Sequence, residues 1–432
     1  MSFPRYPKYK DSGVEWLGEV PEHWEVKRLK YNLRLLTEKT DRRENPVALE
    51  NIEGWTGRFI PTETEFEGEG IAFNAGDILF GKLRPYLAKA YRAESSGEAV
   101  GDFHVMRPVA GIDSRFAQYQ ILNREFIAIV DGSTFGSKMP RASWEFVGGM
   151  KVTTPPQSEQ DSIAMFLNQE TAKIDELVAE QQRLMELLKE KRQAVISHAV
   201  TKGLNPNAPM KPSGIEWLGD VPAHWEVIPM RMIANVVRGA SPRPAGDPRY
   251  FGGDEVPWVT VAEITKDDAV YLTETESFLT QEGATHSNLF RSGTLIYSNS
   301  GATLGVPKIL RIDACANDGV VAFLNLDSRV QAEFLYHYLA SITDCIRNKV
   351  KQGSGQPNLN TAIVKDLRFG LPPPEEQELI VLRIKELAEQ FGSLTAEAQR
   401  AIVLLQERRT ALISAAVTGQ IDVRPLLKKE AA

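Results

Sequence analysis

Glycine-rich loops in both halves of the chain carry basic, amide and hydroxyl side chains. Arginine and lysine can bond guanine edges or phosphates, asparagine and glutamine can pair with adenine edges, and glycine lets a backbone approach a partner closely. In the first half, the candidate nucleic-acid contacts are Lys82, Arg84, Tyr86, Ser133, Thr134, Ser137 and Lys138. In the second half, they are Arg238, Ser241, Arg243, Ser298, Asn299, Ser300, Thr303, Gln356, Asn358 and Asn360. A single loop of this kind can equally be a solvated turn, but two sets in equivalent places favour binding.

Catalytic signatures are not found in the sequence. It has neither a phosphate-cradling glycine loop nor a dinucleotide fingerprint, and the repeated histidines His23 and His224 have no carboxylate or cysteine partner at metal-ligand spacing. The segment Asp247-Pro248-Arg249-Tyr250 superficially resembles an adenine methyltransferase motif, but a turn is the simpler interpretation. The cysteines, Cys315 and Cys345, are interpreted as small buried hydrophobes, with a disulfide as the alternative. We therefore predict no catalytic residue, no metal site and no cofactor bound by this chain.

The elements that must position these loops are duplicated. Ser12 to Val26 and Ser213 to Val227 are identical at 12 of 15 positions, 201 residues apart. A repeat of this length indicates a duplicated unit. Four tryptophans lie in the two copies, and we predict that they anchor each domain to a scaffold or dock a partner: Trp16, Trp24, Trp217 and Trp225.

Two uninterrupted helical segments form a second repeat, with a constant offset of 217 residues. Each begins after a Pro-Pro pair and shows apolar residues at three-four spacing, which is typical of a long helix that packs against another helix. The predicted seam of this coiled-coil spacer comprises Ile174, Leu177, Leu184, Leu188, Val195, Phe391, Leu394, Leu405 and Leu412. Gln181 and Lys191 would fill the remaining seam positions of the first helix. Because 217 exceeds 201, all variation in length falls inside the globular stretches, so the repeated segments frame exchangeable inserts.

These patterns predict an α+β protein with five segments. They are a first globular domain (1–154), a central helix (155–203), a second globular domain (204–370), a C-terminal helix (371–424) and a tail (425–432). Within the first domain we predict one helix from Phe116 to Val130. The 432 residues carry a net charge of −7, and no secretory signal or membrane-spanning run is found, so we predict a cytoplasmic protein. Contact with phosphate would need a local basic surface.

In this combined order, the motifs resemble the specificity subunits of Type I restriction-modification systems. The resemblance rests on the duplicated G-[VI]-E-W-L-G-x-V-P-x-H-W-E-V segment, the P-P-x-x-E-Q helix entries at Pro155 and Pro372, and the two long helices. The stretches Leu79 to Tyr86 and Gly353 to Leu359 are similar to the target-recognition domains of that family.

The resemblance implies a non-catalytic DNA-binding subunit. Two target-recognition domains would each bind one half of a split, asymmetric sequence in double-stranded DNA. The helices would form an antiparallel coiled coil within an internal pseudo-twofold repeat. Two modification subunits would methylate adenine at N6 with S-adenosylmethionine, and restriction subunits would add an endonuclease and translocase that uses ATP and Mg. These cofactors would belong to the partners.

Two hypotheses from other classes remain open at this point. The chain could be a duplicated coiled-coil scaffold that binds only proteins, or a methyltransferase in its own right.

Overall fold

The computed structural model describes residues 3–41, 45–62, 69–136, 138–301, 303–349 and 359–430. The chain divides into two compact units. The first unit comprises Met1–Arg183 and Ala398–Ala432, and the second comprises Leu184–Glu397. Each unit therefore contains one mixed α/β domain together with one part of each long helix.

The described residues form helices of very unequal length. In chain order they are α1 (Ser114–Ile121), α2 (Arg124–Gly132), α3 (Trp144–Gly149), α4 (Gln157–Lys202), α5 (Val261–Thr265), α6 (Gln281–Thr285), α7 (Ala332–Ser341), α8 (Thr343–Lys349), α9 (Thr361–Asp366), α10 (Pro374–Val417) and α11 (Arg424–Glu430). The long helices α4 and α10 confirm the two predicted helical segments. Within the C-terminal segment predicted at 371–424, the long helix ends at Val417, and a separate short helix, α11, begins at Arg424.

The helix predicted from Phe116 to Val130 is wrong as a single element, because α1 and α2 are separated at Asn123. The side chain of Asn123 accepts a hydrogen bond from the backbone N–H of Phe126 and so caps a new helix. Asp113 caps α1 in the same way, through the N–H groups of Arg115 and Phe116. Side chains that satisfy the free N–H groups of a first turn favour a helix start over continuation.

Two small sheets and two strand pairs build the globular part of the first unit. Its strands are β1 (Tyr9–Asp11), β2 (Glu19–Pro21), β3 (Glu25–Arg28), β4 (Leu33–Leu36), β5 (Lys39–Thr40), β6 (Pro46–Val47), β7 (Gly70–Phe73), β8 (Ile78–Gly81), β9 (Ala90–Arg92), β10 (Gly97–Ala99), β11 (Phe103–Pro108) and β12 (Lys151–Thr154). The sheets have the orders β4-β11-β8-β9 and β5-β7-β10-β6, and the pairs are β1-β2 and β3-β12. The antiparallel β4-β11-β8-β9 sheet packs its apolar face on α1 and α2.

The second unit repeats this plan, with five strands instead of four in one of its sheets. They are β13 (Met210–Pro212), β14 (Asp220–Pro222), β15 (Glu226–Pro229), β16 (Asn235–Arg238), β17 (Phe251–Val259), β18 (Tyr271–Leu272), β19 (Phe278–Leu279), β20 (Asn288–Phe290), β21 (Leu295–Ser298), β22 (Pro307–Leu310), β23 (Ala314–Ala316), β24 (Val320–Leu324) and β25 (Arg368–Leu371). The sheet orders are β16-β24-β21-β22-β18 and β19-β17-β23-β20, and the pairs are β13-β14 and β15-β25. The strand pairs β1-β2 and β3-β12 thus have direct counterparts in β13-β14 and β15-β25.

Within each unit, the start of one long helix packs beside the end of the other. In the first unit, Ile163 and Leu167 of α4 share a buried cluster with Leu412 and Ala416 of α10. In the second unit, Ala199 and Val200 of α4 share another with residues 380, 381 and 384 of α10. The helices therefore run antiparallel in each unit, as predicted for the coiled coil.

The seam differs in register from the prediction. Ile174 and Leu412 are buried, and Leu188, Val195, Phe391 and Leu405 are half-buried, but Leu177, Leu184 and Leu394 are 44%, 43% and 47% exposed. Lys191 is also exposed. Gln181, which was predicted in the seam, is half-buried, and so are Val178 and Met185 of α4, which were not predicted there. At the equivalent positions of α10, Thr395 is half-buried and Ala398 and Ile402 are buried. Adjacent apolar residues offer two stripes about 100° apart on a helix, and packing selects one of them.

A carboxylate in the first turn of each long helix binds the repeated P-x-H-W segment. In the first unit, Glu159 accepts hydrogen bonds from Trp24 Nε1 at 2.9 Å and lies 2.7 Å from His23 Nε2. In the second unit, Glu376 accepts from Trp225 Nε1 at 3.0 Å and lies 2.7 Å from His224 Nε2. We call this arrangement the Glu-His-Trp clamp.

The glutamine that follows each clamp carboxylate is also used identically. Gln160 accepts from the backbone N–H of Asp113 and donates to the carbonyls of Gly111 and Pro155. Gln377 accepts from the N–H of Gln331 and donates to the carbonyls of Arg329 and Pro372. Both glutamines are buried. The E-Q dipeptide therefore joins each long helix to its own globular domain.

The clamp also revises the role predicted for the tryptophans. Trp24 and Trp225 are fully buried, so neither ring has a surface that could dock a partner, and both anchor their domain to a helix instead. Trp16 and Trp217 are half-buried and pack against the cores of their units. Partner docking through these two residues remains a prediction.

Replacing Glu376 by alanine should destabilise the second unit. The change leaves Trp225 Nε1 without its acceptor, and removing a charged partner from a hydrogen bond costs about 1.5–3 kcal/mol. The matched control is Glu375→Ala, which removes an exposed carboxylate from the same helical turn and so accounts for the helix dipole. Urea unfolding of the two variants provides the comparison. Equal urea midpoints for Glu376→Ala and Glu375→Ala would show that the hydrogen bonds of the clamp add no stability beyond that of a negative charge in the first turn.

Candidate nucleic-acid interface

The structure brings two of the predicted loops together in the first unit. The loop after β8 and the loop before α3 are joined by hydrogen bonds from Arg84 N to Pro140 O and from Ala142 N to Lys82 O, both 2.9 Å long. An isolated bridge also pairs Leu83 with Arg141. Residues separated by about 60 positions therefore form one surface, which we call the first loop patch.

Asp102 is the electrostatic centre of this patch. It accepts hydrogen bonds from Arg141 Nε and Nη2 at 3.0 and 2.7 Å, and Lys82 Nζ lies 3.7 Å away. The hydrogen-bonded Arg141 guanidinium holds the pKa of the Asp102 carboxyl below its usual value. A bidentate arginine fixes geometry as well as charge, so Asp102 orients Arg141 and restrains Lys82.

A buried histidine supports the same loop from below. His104 Nε2 lies 3.0 Å from the carbonyl of Ala142, and burial lowers the pKa of this histidine. A carbonyl can only accept, so the neutral ring carries its proton on Nε2. His104 was not predicted as a functional residue, and nothing in its sequence neighbourhood indicates this contact.

Three predicted residues of the first loop patch are exposed: Arg84, Tyr86 and Lys138. Arg84 and Lys138 form no ion pair with any described residue, so their charges are available to a ligand. Arg84 has a left-handed backbone with φ of 51°, which is uncommon for a residue that is not glycine and occurs often at functional loops.

The sequence prediction missed other members of the patch. Arg141 lies at its centre, and Phe135 and Met139 are 66% and 50% exposed beside it. Exposed aromatic side chains next to arginine are suited to stacking on bases. Their position in the same glycine-rich loop as Lys138 was the available signal.

The hydroxyl residues of this loop have local roles. Ser133 Oγ donates to the carbonyl of Val130, and Thr134 Oγ1 donates to that of Asp131. Both side chains therefore cap the end of α2. Ser137 lies outside the described residues.

The second unit contains a comparable patch around Asp318. Ser241 Oγ donates to Asp318 Oδ1 at 2.8 Å, Arg243 lies 3.6 Å from its carboxylate, and Arg238 donates to its backbone carbonyl. The hydrogen bond from Ser241 holds the pKa of Asp318 below its usual value, against the opposing effect of burial. Gly239 permits this packing, since a Cβ there would lie 2.2 Å from the carbonyl oxygen of Asn317. We call this surface the second loop patch.

The other residues predicted to contact DNA in the second half differ in how far they are buried. Ser298 and Asn299 are fully buried, so the prediction that they contact DNA is corrected. Ser298 Oγ donates to the carbonyl of Thr303 and accepts from Val306 N–H, while Asn299 Nδ2 donates to the carbonyl of Leu359. These bonds shape the loop that presents Ser300, which is half-buried, and Thr303, which is exposed.

Asn360 caps α9 through the N–H of Ile363, and Ser143 caps α3 through Phe146 at the equivalent position. Gln356 and Asn358 lie outside the described residues. The equivalent caps show that the two glycine-rich loops enter matching helices.

The described part of the chain also bears on the sequence predictions for metal ligands, the Asp247 turn, the cysteines and membrane spans. No group of three or more His, Cys, Asp or Glu residues there is placed to hold a metal ion. Asp247 is paired with Arg249 of its own turn, which fits the simpler interpretation of that segment. Cys315 and Cys345 are not joined in a disulfide. None of the helices described combines the length and apolar character needed to cross a membrane.

Replacing Asp102 by asparagine should destabilise the first unit in a pH-dependent way. A carboxyl whose pKa is lowered by folding stabilises the native state above its unfolded pKa. Wild type should therefore be more stable at neutral pH, and the difference should shrink as pH falls below the ordinary value of 3.8 towards the lower native pKa. Urea unfolding as a function of pH measures this difference.

The control for this prediction is Asp254→Asn, because Asp254 is exposed and forms no ion pair with a residue that the structure describes. It should show almost no difference from wild type at any pH. A stability difference for Asp102→Asn that stays constant with pH would contradict an ionic role for Asp102.

Comparisons with known proteins agree with this architecture. Residues 222–402 match the family model of the Type I restriction modification DNA specificity domain. The MjaVIII specificity subunit of Methanocaldococcus jannaschii is 21% identical and aligns with 94% of this chain and 95% of its own length. The EcoDI specificity subunit of Escherichia coli is also 21% identical and aligns with 94% of this chain and 90% of its own length.

Solved structures show the same fold. A chain from a study of complex assembly and conformational transition of the type I R-M system superposes with a TM-score of 0.70 at 16% identity, covering 92% of this chain and 98% of that one. The HsdS subunit from Thermoanaerobacter tengcongensis has a TM-score of 0.54 at 18% identity, covering 93% and 98%. The resemblance drawn from the sequence is thereby confirmed: residues 222–402 match the Type I restriction modification DNA specificity domain, and the chain is similar to Type I specificity subunits over 94% of its length.

Proposed function

We propose that this chain selects a bipartite, asymmetric DNA target and assembles a Type I restriction-modification complex on it. The first loop patch would contact one half of the target and the second loop patch the other. The observation that carries this proposal is a contrast between the two units. The Glu-His-Trp clamp and the E-Q dipeptide are repeated in both, whereas the loop patches are built from different residues. Arg141 and Lys82 surround Asp102 in the first patch, and Ser241 and Arg243 surround Asp318 in the second.

The loop patches have the chemistry that base recognition needs. Arginine can bond guanine bidentately, and a basic patch supplies phosphate contact in a chain whose total charge is negative. Arg84 and Lys138 form no ion pair with a residue that the structure describes, while Arg141, Arg238 and Arg243 are oriented by aspartates. Different side chains in the two patches would bind different bases, which makes the target asymmetric.

The repeated frame suits two copies of one partner. Near-identical surfaces in the two units would present equivalent sites to two adenine-N6 methyltransferase subunits, as expected for a repeat that imitates twofold symmetry. Those subunits would bind S-adenosylmethionine, and restriction subunits would use ATP and Mg. In this arrangement the chain itself would be non-catalytic and would act on DNA in the cytoplasm.

Exchanging residues 29–150 for those of another specificity subunit tests the assignment of one half-target to each unit. The exchange keeps the β3-β12 strand pair and the clamp intact. Selection from random duplexes by the reconstituted methyltransferase complex should yield a target changed in one half only. A change in both halves, or in neither, would refute it. No selected sequence with the unaltered chain would favour a scaffold that binds only proteins.

Single substitutions refine this test. Arg84→Ala should relax base preference in one half of the target and Arg243→Ala in the other, each by about 1–3 kcal/mol if the lost contact is bidentate. Lys189→Ala, at an exposed position of α4, is the control and should leave both halves unchanged. The measurement is the set of target sequences that each of the three variants selects. If both arginine substitutions relaxed base preference in the same half of the target, the proposal would be contradicted.

A further inference from the structure

A second basic feature lies outside the loop patches and is repeated in both units. Lys30 and Arg231 occupy equivalent positions in the short 3-10 turns that follow β3 and β15. Lys151 and Arg368 are likewise equivalent, as the first residues of β12 and β25. All four are exposed. In the first unit Arg28 adds a fifth cation, and we call Arg28, Lys30 and Lys151 the basic strip.

The basic strip places like charges together without internal compensation. Arg28 and Lys151 are direct partners across the antiparallel β3-β12 pair. Like charges directly opposite each other destabilise a strand pair. Neither residue forms an ion pair within the described part of the chain. The arrangement therefore calls for an external anion.

The acids near the strip do not cancel its charge. Glu25 is paired with Lys27, which is why Lys27 is not counted in the strip, and Asp366 of the second unit is paired with Arg231. One exposed carboxylate, Glu145, lies in the first turn of α3. Arg28, Lys30 and Lys151 form no ion pair with a described residue and together outweigh this one carboxylate, so the strip remains positive.

The strip is continuous with the first loop patch. The helix α3 begins directly after Ala142 and Ser143, and it packs on the 3-10 turn that contains Lys30. A Cβ on Gly148 would lie 3.3 Å from Lys30 Cβ, so the two backbones are in close contact. Six residues of helix span about 9 Å, which is about three steps along one DNA strand. In the second unit α9 packs on the equivalent turn.

We propose that the basic strip binds DNA phosphates independently of base sequence, beside the half of the target that the first loop patch contacts. Arg231 and Arg368 do the same, with fewer free charges, in the second unit. The inference rests on the proposed function for the presence of DNA. Beyond that function, part of the affinity for DNA comes from the repeated strand pairs and 3-10 turns and not from the loop patches.

The test compares salt dependence with base preference. In the reconstituted methyltransferase complex, the variant Arg28→Gln, Lys30→Gln, Lys151→Gln removes three phosphate contacts. The slope of log affinity against log salt should become smaller by about 2.7, so that between about 50 and 200 mM salt the variant loses about 40-fold less affinity than wild type. The selected target sequence should not change. Filter binding to the selected duplex and to a scrambled duplex measures both quantities.

The control variant, Arg183→Gln, Lys189→Gln, Lys191→Gln, removes the same charge from exposed positions of α4. An equal change of slope in both variants, or no change in the strip variant, would overturn the proposal. So would a changed target sequence, which would make the strip a base-contacting surface. Failure of the strip variant to bind the methyltransferase subunits, with its salt slope intact, would assign the strip to a protein partner instead.

A single substitution separates binding from stability. Lys151→Gln relieves the repulsion with Arg28, so the melting temperature should stay unchanged or rise while DNA affinity falls at low salt. Lys151→Arg should keep the wild-type slope. A purely structural role for Lys151 would lower the melting temperature and leave the slope unchanged. If unaltered wild type selects no sequence at all, the proposed function fails, which is a different result from any of these.

Discussion

The interaction on which the rest of the structure depends is the hydrogen-bonded contact between a first-turn glutamate and the tryptophan and histidine of the repeated segment. Glu159 and Glu376 lie where the positive end of a helix favours a carboxylate. The indole and the imidazole contact different oxygens of Glu159, whereas both contact Oε2 of Glu376. A fully buried indole with its N–H satisfied fixes the angle between helix and domain, so the clamp sets where each loop patch can be.

The glycine after each long helix completes the contact. Gly203 follows α4 and packs against Trp225 in the second unit, and Gly419 follows α10 and packs against Trp24 in the first. Both have positive φ, and at Gly419 a Cβ would lie 2.4 Å from the ring of Pro21. The first repeated segment therefore meets the end of the second helix, and the second segment meets the end of the first. In the first unit this contact joins residues from distant parts of the chain, whereas the second unit is one continuous stretch, so the duplication is circularly arranged.

Separation of a constant frame from variable loops has an energetic basis. The frame is held by buried aromatic contacts and fully satisfied polar groups, such as Gln160 and Gln377, where a substitution leaves an unpaired buried group. The loop patches are held by partly exposed aspartate-arginine networks, where a substitution costs less and a different side chain can be accommodated. Change in binding specificity is thereby concentrated where it disturbs stability least. The basic strip belongs to the constant frame and not to the variable loops, which fits a contact with DNA that does not depend on base sequence.

The sequence alone determined the duplication, the two long helices and the family resemblance, because repeats and helical periodicity are local properties of the chain. It also identified the loops that carry Lys82, Arg84 and Lys138, since glycine and basic residues mark them directly. Only the tertiary structure decided which apolar stripe forms the helix seam, as Leu177 and Val178 both satisfy the periodicity and packing chooses between them. It likewise decided that Ser298 and Asn299 are buried, and that Asp102, His104 and Arg141 meet at one patch. Those contacts join residues that are distant along the chain, and their geometry follows from how the elements pack.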